Sequence, residues 1–188
     1  MNVTDALDEE GEIGKYAYIL HGNPVNSSTV VICEKFAILH KAAASFGFDE
    51  STLFMFVPGI PSAACLAQLK KLKAKRFIYF GDMDPISFYK FFALRQLTRK
   101  PQPDGKTKLH VEYGGITLAD YDYYMPPNAQ MRLNDREKTV LEFVSHFRMP
   151  DVKAELAFIR DSSLKLEIDA FSRYGFDNYL KDKLKQNL

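Results

Sequence analysis

The sequence predicts an α/β fold, a mostly parallel sheet with helices on both faces and a helical C-terminal portion, and three observations predict it. Short apolar runs, VVIC at 30–33, TLFMFV at 52–57 and RFIYF at 76–80, have the length and the β-branched or aromatic content of buried strands. Each is closed by a Gly, Pro or acidic residue and followed by a segment with helical spacing. Such alternation marks strands joined by helical crossovers. Finally, 46% hydrophobic content in 188 residues, with 15 Phe and 10 Tyr, is enough for one core and argues against disorder. The expected organisation is an acidic N-terminal extension and leading strand over 1–27, then a single domain over 28–188.

The elements follow in order. Residues 15–20 and 28–33 read as strands, with HGNPVNS between them as a loop of turn formers. Residues 35–46 read as a helix ended by Gly47, and residues 52–57 as a strand closed by Pro58-Gly59. Ser62 is placed to cap the helix AACLAQLKKL. After the strand at 76–80, Gly81 precedes a helix from Pro85 to about Thr98, a polar linker at 101–107 and a further strand at 109–113. The tract Tyr121-Asp122-Tyr123-Tyr124-Met125-Pro126-Pro127 is expected as a loop packed by its own tyrosines. Beyond residue 130 the pattern is helical. Asn134 and Glu137 are spaced as a capping box, Asp151 as the cap of a second helix, and Ser162 as the cap of a third that Gly175 ends. FDNYLKDKLKQ forms the last helix, with Lys181, Lys183 and Lys185 near its C-terminus, where the helix dipole favours them.

Composition excludes several classes. Cys33 and Cys65 are too few and too far apart for a metal knuckle or a disulfide framework, and the four histidines show no ligand spacing. No stretch approaches the ~20 apolar residues of a membrane span, and the N-terminus has no signal-like segment, so a cytoplasmic protein without a membrane partner is expected. Net charge is only +1, but its distribution is uneven. Residues 1–12 carry five acids and no base, whereas residues 70–108 carry eleven Lys and Arg against three Asp, a local charge of +8. A basic region around isolated acids suits DNA. Lys70, Lys71, Lys73, Arg95, Arg99 and Lys100 are its candidate phosphate contacts, although the lysines at 70–75 alone read equally as a solvated helix face.

The chemistry concentrates where strands end, since ligands of an open parallel sheet gather at the carboxyl ends of its strands. Glu34 follows VVIC directly, and Asp82 and Asp84 follow RFIYFG. Residues two apart in an extended segment project to one side, so Asp82 and Asp84 can present their oxygens together. Converging carboxylates repel unless a cation offsets them, and Mg²⁺ accepts one or two carboxylates with water and phosphate oxygens. Taken singly, Asp84-Pro85 reads as a helix cap, Asp82 as a turn residue and Glu34 as a solvated strand end. Two acidic sites at neighbouring strand ends favour the functional reading.

These residues resemble a known family. FIYFGDMDPISFYKF is similar to the acidic motif of Toprim domains, above all those of type IIB topoisomerase A subunits, their meiotic break-forming relatives and the nuclease component of Wadjet-type defence systems. VVICEKF resembles the family's first strand with its glutamate, and VPGIPSAACLAQLKKL a Gly-x-Pro-Ser turn and helix. LKLEIDAFSRYGFDNYLKDKL is similar to the family's C-terminal Lys-x-Glu helix. The resemblance covers 28–185 and implies a Toprim-like Rossmannoid fold. It implies that Asp82 and Asp84 are ligands of Mg²⁺, with Mn²⁺ as substitute. Glu34 would share the metal or act as the catalytic acid/base, and Glu167, with Lys165 beside it, would support the site from behind.

Two departures matter. Ser87 stands where relatives usually place glycine, and residues 1–27 are too short for the tyrosine-bearing domain that precedes the topoisomerase Toprim unit. The expectation is therefore Mg²⁺-dependent DNA cleavage by water, with a tyrosine from a partner protein as the other route. The implied partners are DNA, a second copy in a homodimer, and an SMC-like or topoisomerase B-type ATPase. A non-catalytic DNA-binding or assembly module is the alternative. A haloacid-dehalogenase-type phosphatase fits less well, because its Asp-x-Asp follows the first core strand and continues into Thr or Val.

Overall fold

A computed structural model describes residues 18–40, 51–99, 109–124 and 128–168, together with Ala170, Tyr179, Asp182 and Lys183. The chain divides into two compact units: residues 1–80 with 93–112 and 188, and residues 81–92 with 113–187.

The first unit is built on a five-stranded sheet. Its strands are β1 (Ile19–His21), β2 (Thr29–Cys33), β3 (Thr52–Phe56), β4 (Arg76–Phe80) and β5 (Val111–Tyr113), in the order β1-β3-β2-β4-β5. β2 pairs in parallel with both β3 and β4, and β1 closes the β3 edge antiparallel. Two of the three interior strands, TVVIC and TLFMF, are buried at every residue, which is why their sequences run apolar rather than alternating. The sheet is mostly parallel, as expected. Helix α1 (Ala63–Lys71) links β3 to β4; Ser62 caps it by accepting from the Cys65 amide at 3.2 Å, and Lys70 and Lys71 lie in its last turn. Residues 36–40 are helical within the helix expected at 35–46, whose remainder lies outside the described residues. The linker at 101–107 also lies outside them.

The second unit contains the start of α2 (Pro85–Arg99), then α3 (Leu118–Tyr124), β6 (Gln130–Arg132), α4 (Asp135–Val144), α5 (Lys153–Ser162) and β7 (Leu164–Leu166). Three expectations change here. The tyrosine tract is helical through Tyr124, because Asp120 accepts from both the Thr117 amide and its hydroxyl at 2.7 Å and so organises the first turn. Tyr123 is 79% exposed with its ring edge-on to Tyr124, and the Tyr124 ring in turn meets Tyr179 edge-on. The region after residue 130 is not purely helical: β6 and β7 form an antiparallel two-stranded sheet. Ser162 therefore ends α5 instead of starting a helix, and Ser163, at φ 57°, turns the chain into β7. Asp151 is not at the N-cap position of α5, which Val152 holds, because it lies within a 3-10 turn, Pro150–Val152, that feeds straight into α5. The Asn134–Glu137 capping box is present in both directions. Of the last helix expected, Tyr179, Asp182 and Lys183 are helical, and the rest lies outside the described residues.

Candidate functional site

The acidic motif lies between β4 and α2, and its residues are buried. Asp82 is 4% exposed and Asp84 7%, values that carboxylates reach only when held by partners. Asp84 accepts from the Ser87 amide at 2.7 Å, so it caps α2 with Pro85 at the first helical position. Asp82 accepts from the Ile168 amide at 2.8 Å, a bond to a residue 86 positions away. Between them Met83 is fully buried and exchanges two backbone bonds with Leu166: its N–H donates at 3.0 Å and its carbonyl accepts at 3.1 Å.

A tyrosine and a glycine complete the surroundings. The Tyr113 hydroxyl lies 3.0 Å from the Asp82 carbonyl, 3.1 Å from that of Ile116 and 3.3 Å from that of Gly81. Its ring packs edge-on against Phe88 and tilted against Phe91, both on α2. Gly115 fits only because it lacks a Cβ, which would overlap the Gly81 carbonyl oxygen and crowd the Tyr113 hydroxyl. Nothing in the spacing of VEYGG singled out Tyr113 in the sequence. The nearest signal was an aromatic residue ending a strand before two glycines.

Glu34 follows the last residue of β2 and is half-buried. Cys33 lies opposite Phe80 in the parallel β2–β4 register, so the two strands end at the same level. Glu167 sits between β7 and a helical Ile168 rather than within a helix. It accepts from Lys165 at 2.6 Å, and Lys165 also donates to the nearly buried Glu137 at 2.8 Å. Ser87, the glycine-replacing residue, is buried and supplies the amide that holds Asp84. Among the candidate DNA contacts, Lys71, Lys73 and Arg99 are exposed and Lys70 is half-buried. Arg95 is only 8% exposed, and Lys100 lies outside the described residues. Arg76, in the same basic stretch, is paired with Glu112 at 2.7 Å.

Asp82 and Asp84 offer hard oxygen donors of the kind Mg²⁺ takes. A carboxylate has roughly four lone-pair sites, so an amide bond and a cation can share one group. The donor set fits such an ion with water and phosphate filling the remaining positions. Among the described residues, no group of three or more His, Cys, Asp and Glu side chains is gathered to hold a metal. No helix among them is long and apolar enough to cross a membrane.

Two tyrosine hydroxyls of this unit ionise less readily than a free phenol. Burial pushes the Tyr179 hydroxyl well above its ordinary pKa, and the negative charges of Asp120, Tyr124 and Asp82 push it further. Burial also raises Tyr124, whose hydroxyl donates to Asp182 at 2.8 Å. Tyr113 has its hydroxyl among three carbonyls.

A family model for the Toprim domain of the topoisomerase 6 A-subunit/Spo11 group matches residues 29–188. No curated protein matches the chain.

Proposed function

The chain belongs to the TOP6A/Spo11 Toprim-domain family, and from that premise we propose that it is a Mg²⁺-dependent DNA phosphodiester-cleaving domain, with residues 28–188 acting as one functional domain behind 1–27. Domains of this type bind Mg²⁺ and work on DNA; cleavage by water is the finer proposal. One observation carries it: two carboxylates of a Gly-Asp-x-Asp motif are buried at the end of a central strand. Burying carboxylates is costly, and a bound cation would offset that cost.

Asp82 and Asp84 would hold the ion, and Mn²⁺ is expected to substitute for Mg²⁺. When bound, the ion supplies Lewis-acid polarisation of the phosphate and neutralisation of the leaving oxygen. Glu34 is the proposed proton-transfer group, on its place after β2 and the family pattern. Water is the proposed nucleophile, supported by the raised hydroxyl of Tyr179 and the backbone-bound hydroxyl of Tyr113. Lys70, Lys71, Lys73, Arg99 and Lys100 are the proposed phosphate contacts. Arg95 is left out, because a guanidinium so buried cannot approach a phosphate. A homodimer and an SMC-like or topoisomerase B-type ATPase are the proposed partners, and the reducing cytoplasm the proposed compartment.

The test is a nicking gel on supercoiled plasmid with Mg²⁺ or Mn²⁺, read beside metal calorimetry and DNA anisotropy. Asp82→Asn and Asp84→Asn should lose metal affinity and cleavage together, while keeping an oxygen to accept the local amide. Glu34→Gln should bind Mn²⁺ and DNA near normally yet cut ~10²–10⁴ slower. DNA affinity should fall steeply with salt as lysines displace counterions. Protein left attached to DNA ends would replace water by a tyrosine. A non-catalytic module is favoured by the structural use of both aspartates as amide acceptors. A wild type that binds DNA but never cuts with any divalent ion would establish that module instead.

A further inference from the structure

Both peptide planes that flank the Asp82 Cα are pinned. In the plane before it, the Gly81 carbonyl accepts the Ile116 amide at 3.1 Å. In the plane after it, the Met83 N–H donates to Leu166 at 3.0 Å, and the Asp82 carbonyl, on the opposite side of that plane, faces the Tyr113 hydroxyl at 3.0 Å. The peptide unit is rigid, so a hold on each plane fixes φ and ψ of Asp82 and with them the direction of its side chain. The Ile168 amide then fixes the carboxylate itself. One hydroxyl proton serves one acceptor well. Of the three carbonyls around the hydroxyl that of Asp82 is nearest, and the Gly81 carbonyl already receives an amide.

We propose that Tyr113 is a positioning residue whose hydroxyl, through the Asp82 carbonyl, sets the aim of the Asp82 carboxylate. Two further features converge on this role. The ring is wedged against Phe88 and Phe91, so the hydroxyl is delivered by a rigid arm. Gly115 leaves room for it, since any Cβ there would press on that hydroxyl and on Gly81. Glycine at 115 thus lets the tyrosine reach the backbone of the motif. The consequence for metal affinity rests on the proposed reading of Asp82 as a ligand, but the positioning itself does not.

The experiment is Tyr113→Phe, which removes one oxygen and keeps the ring packing. Amide hydrogen exchange of Ile168, measured without metal, reports how often its bond to the Asp82 carboxylate opens. Exchange there should quicken about five- to tenfold, the effect of losing one hydrogen bond, relative to amides that report global unfolding. Tyr124→Phe removes a hydroxyl of the same unit that donates to Asp182, and it should leave Ile168 unchanged. Mn²⁺ affinity by calorimetry should weaken about tenfold in Tyr113→Phe at temperatures well below melting. Unchanged Ile168 exchange in Tyr113→Phe overturns the positioning role whatever the metal does. Equal acceleration in Tyr124→Phe overturns it as well, because the effect would then be general loosening. Quickened exchange in Tyr113→Phe alone, in a wild type that binds no Mn²⁺, would uphold the positioning and defeat the metal reading.

Discussion

β4 and β7 both meet the acidic motif, by different means. β4 is a five-residue strand, paired in parallel to β2 and buried over its last four residues, and it delivers Gly81 and Asp82 through the chain. β7 is three residues long, and its partner β6 is exposed throughout. It reaches the motif sideways, by the paired bonds of Leu166 with Met83 and by the amide of Ile168 just beyond its end. Burial of the larger sheet sets where the motif begins. Hydrogen bonding from the smaller one sets how its first carboxylate is held. A rigid scaffold and a local buttress are thus separate devices, and substitutions can separate them.

The largest effect is expected at the buttress. Lys165→Met strands Glu137, whose side chain is 5% exposed, without its cation. Breaking such a buried pair costs about 3–5 kcal/mol, read as a lower urea midpoint. A loss near zero would mean that water screens the triad. Next come two truncations of fully buried residues, Leu166→Ala in β7 and Ile78→Ala in β4. Each should cost about 2–5 kcal/mol. At matched global stability, only Leu166→Ala should also quicken exchange at Ile168; equal behaviour in Ile78→Ala would erase the distinction between scaffold and buttress.

Alkaline titration sharpens the comparison further. Burial lowers the Lys165 pKa, but its hydrogen bonds to Glu137 and Glu167 outweigh burial and raise it from 10.5 to about 12. A raised ammonium stabilises the fold in full below pH 10.5, and that contribution is lost as pH rises through about 12. Wild type should therefore lose about 2 kcal/mol of its advantage over Lys165→Met across that window. A parallel pH dependence in the two proteins would remove Lys165 from the account. The smallest effect is Asn134→Ala, which opens the capping box at the start of α4 and should cost about 1 kcal/mol. Since Glu137 serves both that box and Lys165, a much larger loss would show that the cap also holds the triad in place.

The larger sheet was legible because its interior strands are buried on both faces, and VVIC, TLFMFV and RFIYF announce that condition without any partner being known. Ser62 and the Asn134–Glu137 box were legible for a similar reason: a cap is a local bargain among four residues. The smaller sheet was not. QMR and LKL alternate, but three residues are too few to announce a strand, and they pair only because the chain returns from residue 130 to residue 166. In the tyrosine tract an equally local cap, Asp120 accepting from Thr117, starts a helix where a loop was expected. At the candidate site, the acids themselves could be read at strand ends. Their holders could not, since the Ile168 amide and the Tyr113 hydroxyl reach the motif across 86 and 31 positions of sequence.

Cys33 closes β2, the strand flanked by parallel partners on both sides, and Cys65 lies buried on α1. Burial pushes both thiols up to about 12. Thiolate is the species that alkylating reagents attack, so the folded protein should be inert to maleimide despite its two free cysteines. That makes the unaltered chain a clean background for attaching a fluorophore: a cysteine introduced at exposed Lys73 or Arg99 would be labelled alone, on the basic face proposed to meet DNA. It also makes the native thiols a clock. Any slow labelling of Cys33 would count the openings of the central strand and time how long the larger sheet stays shut.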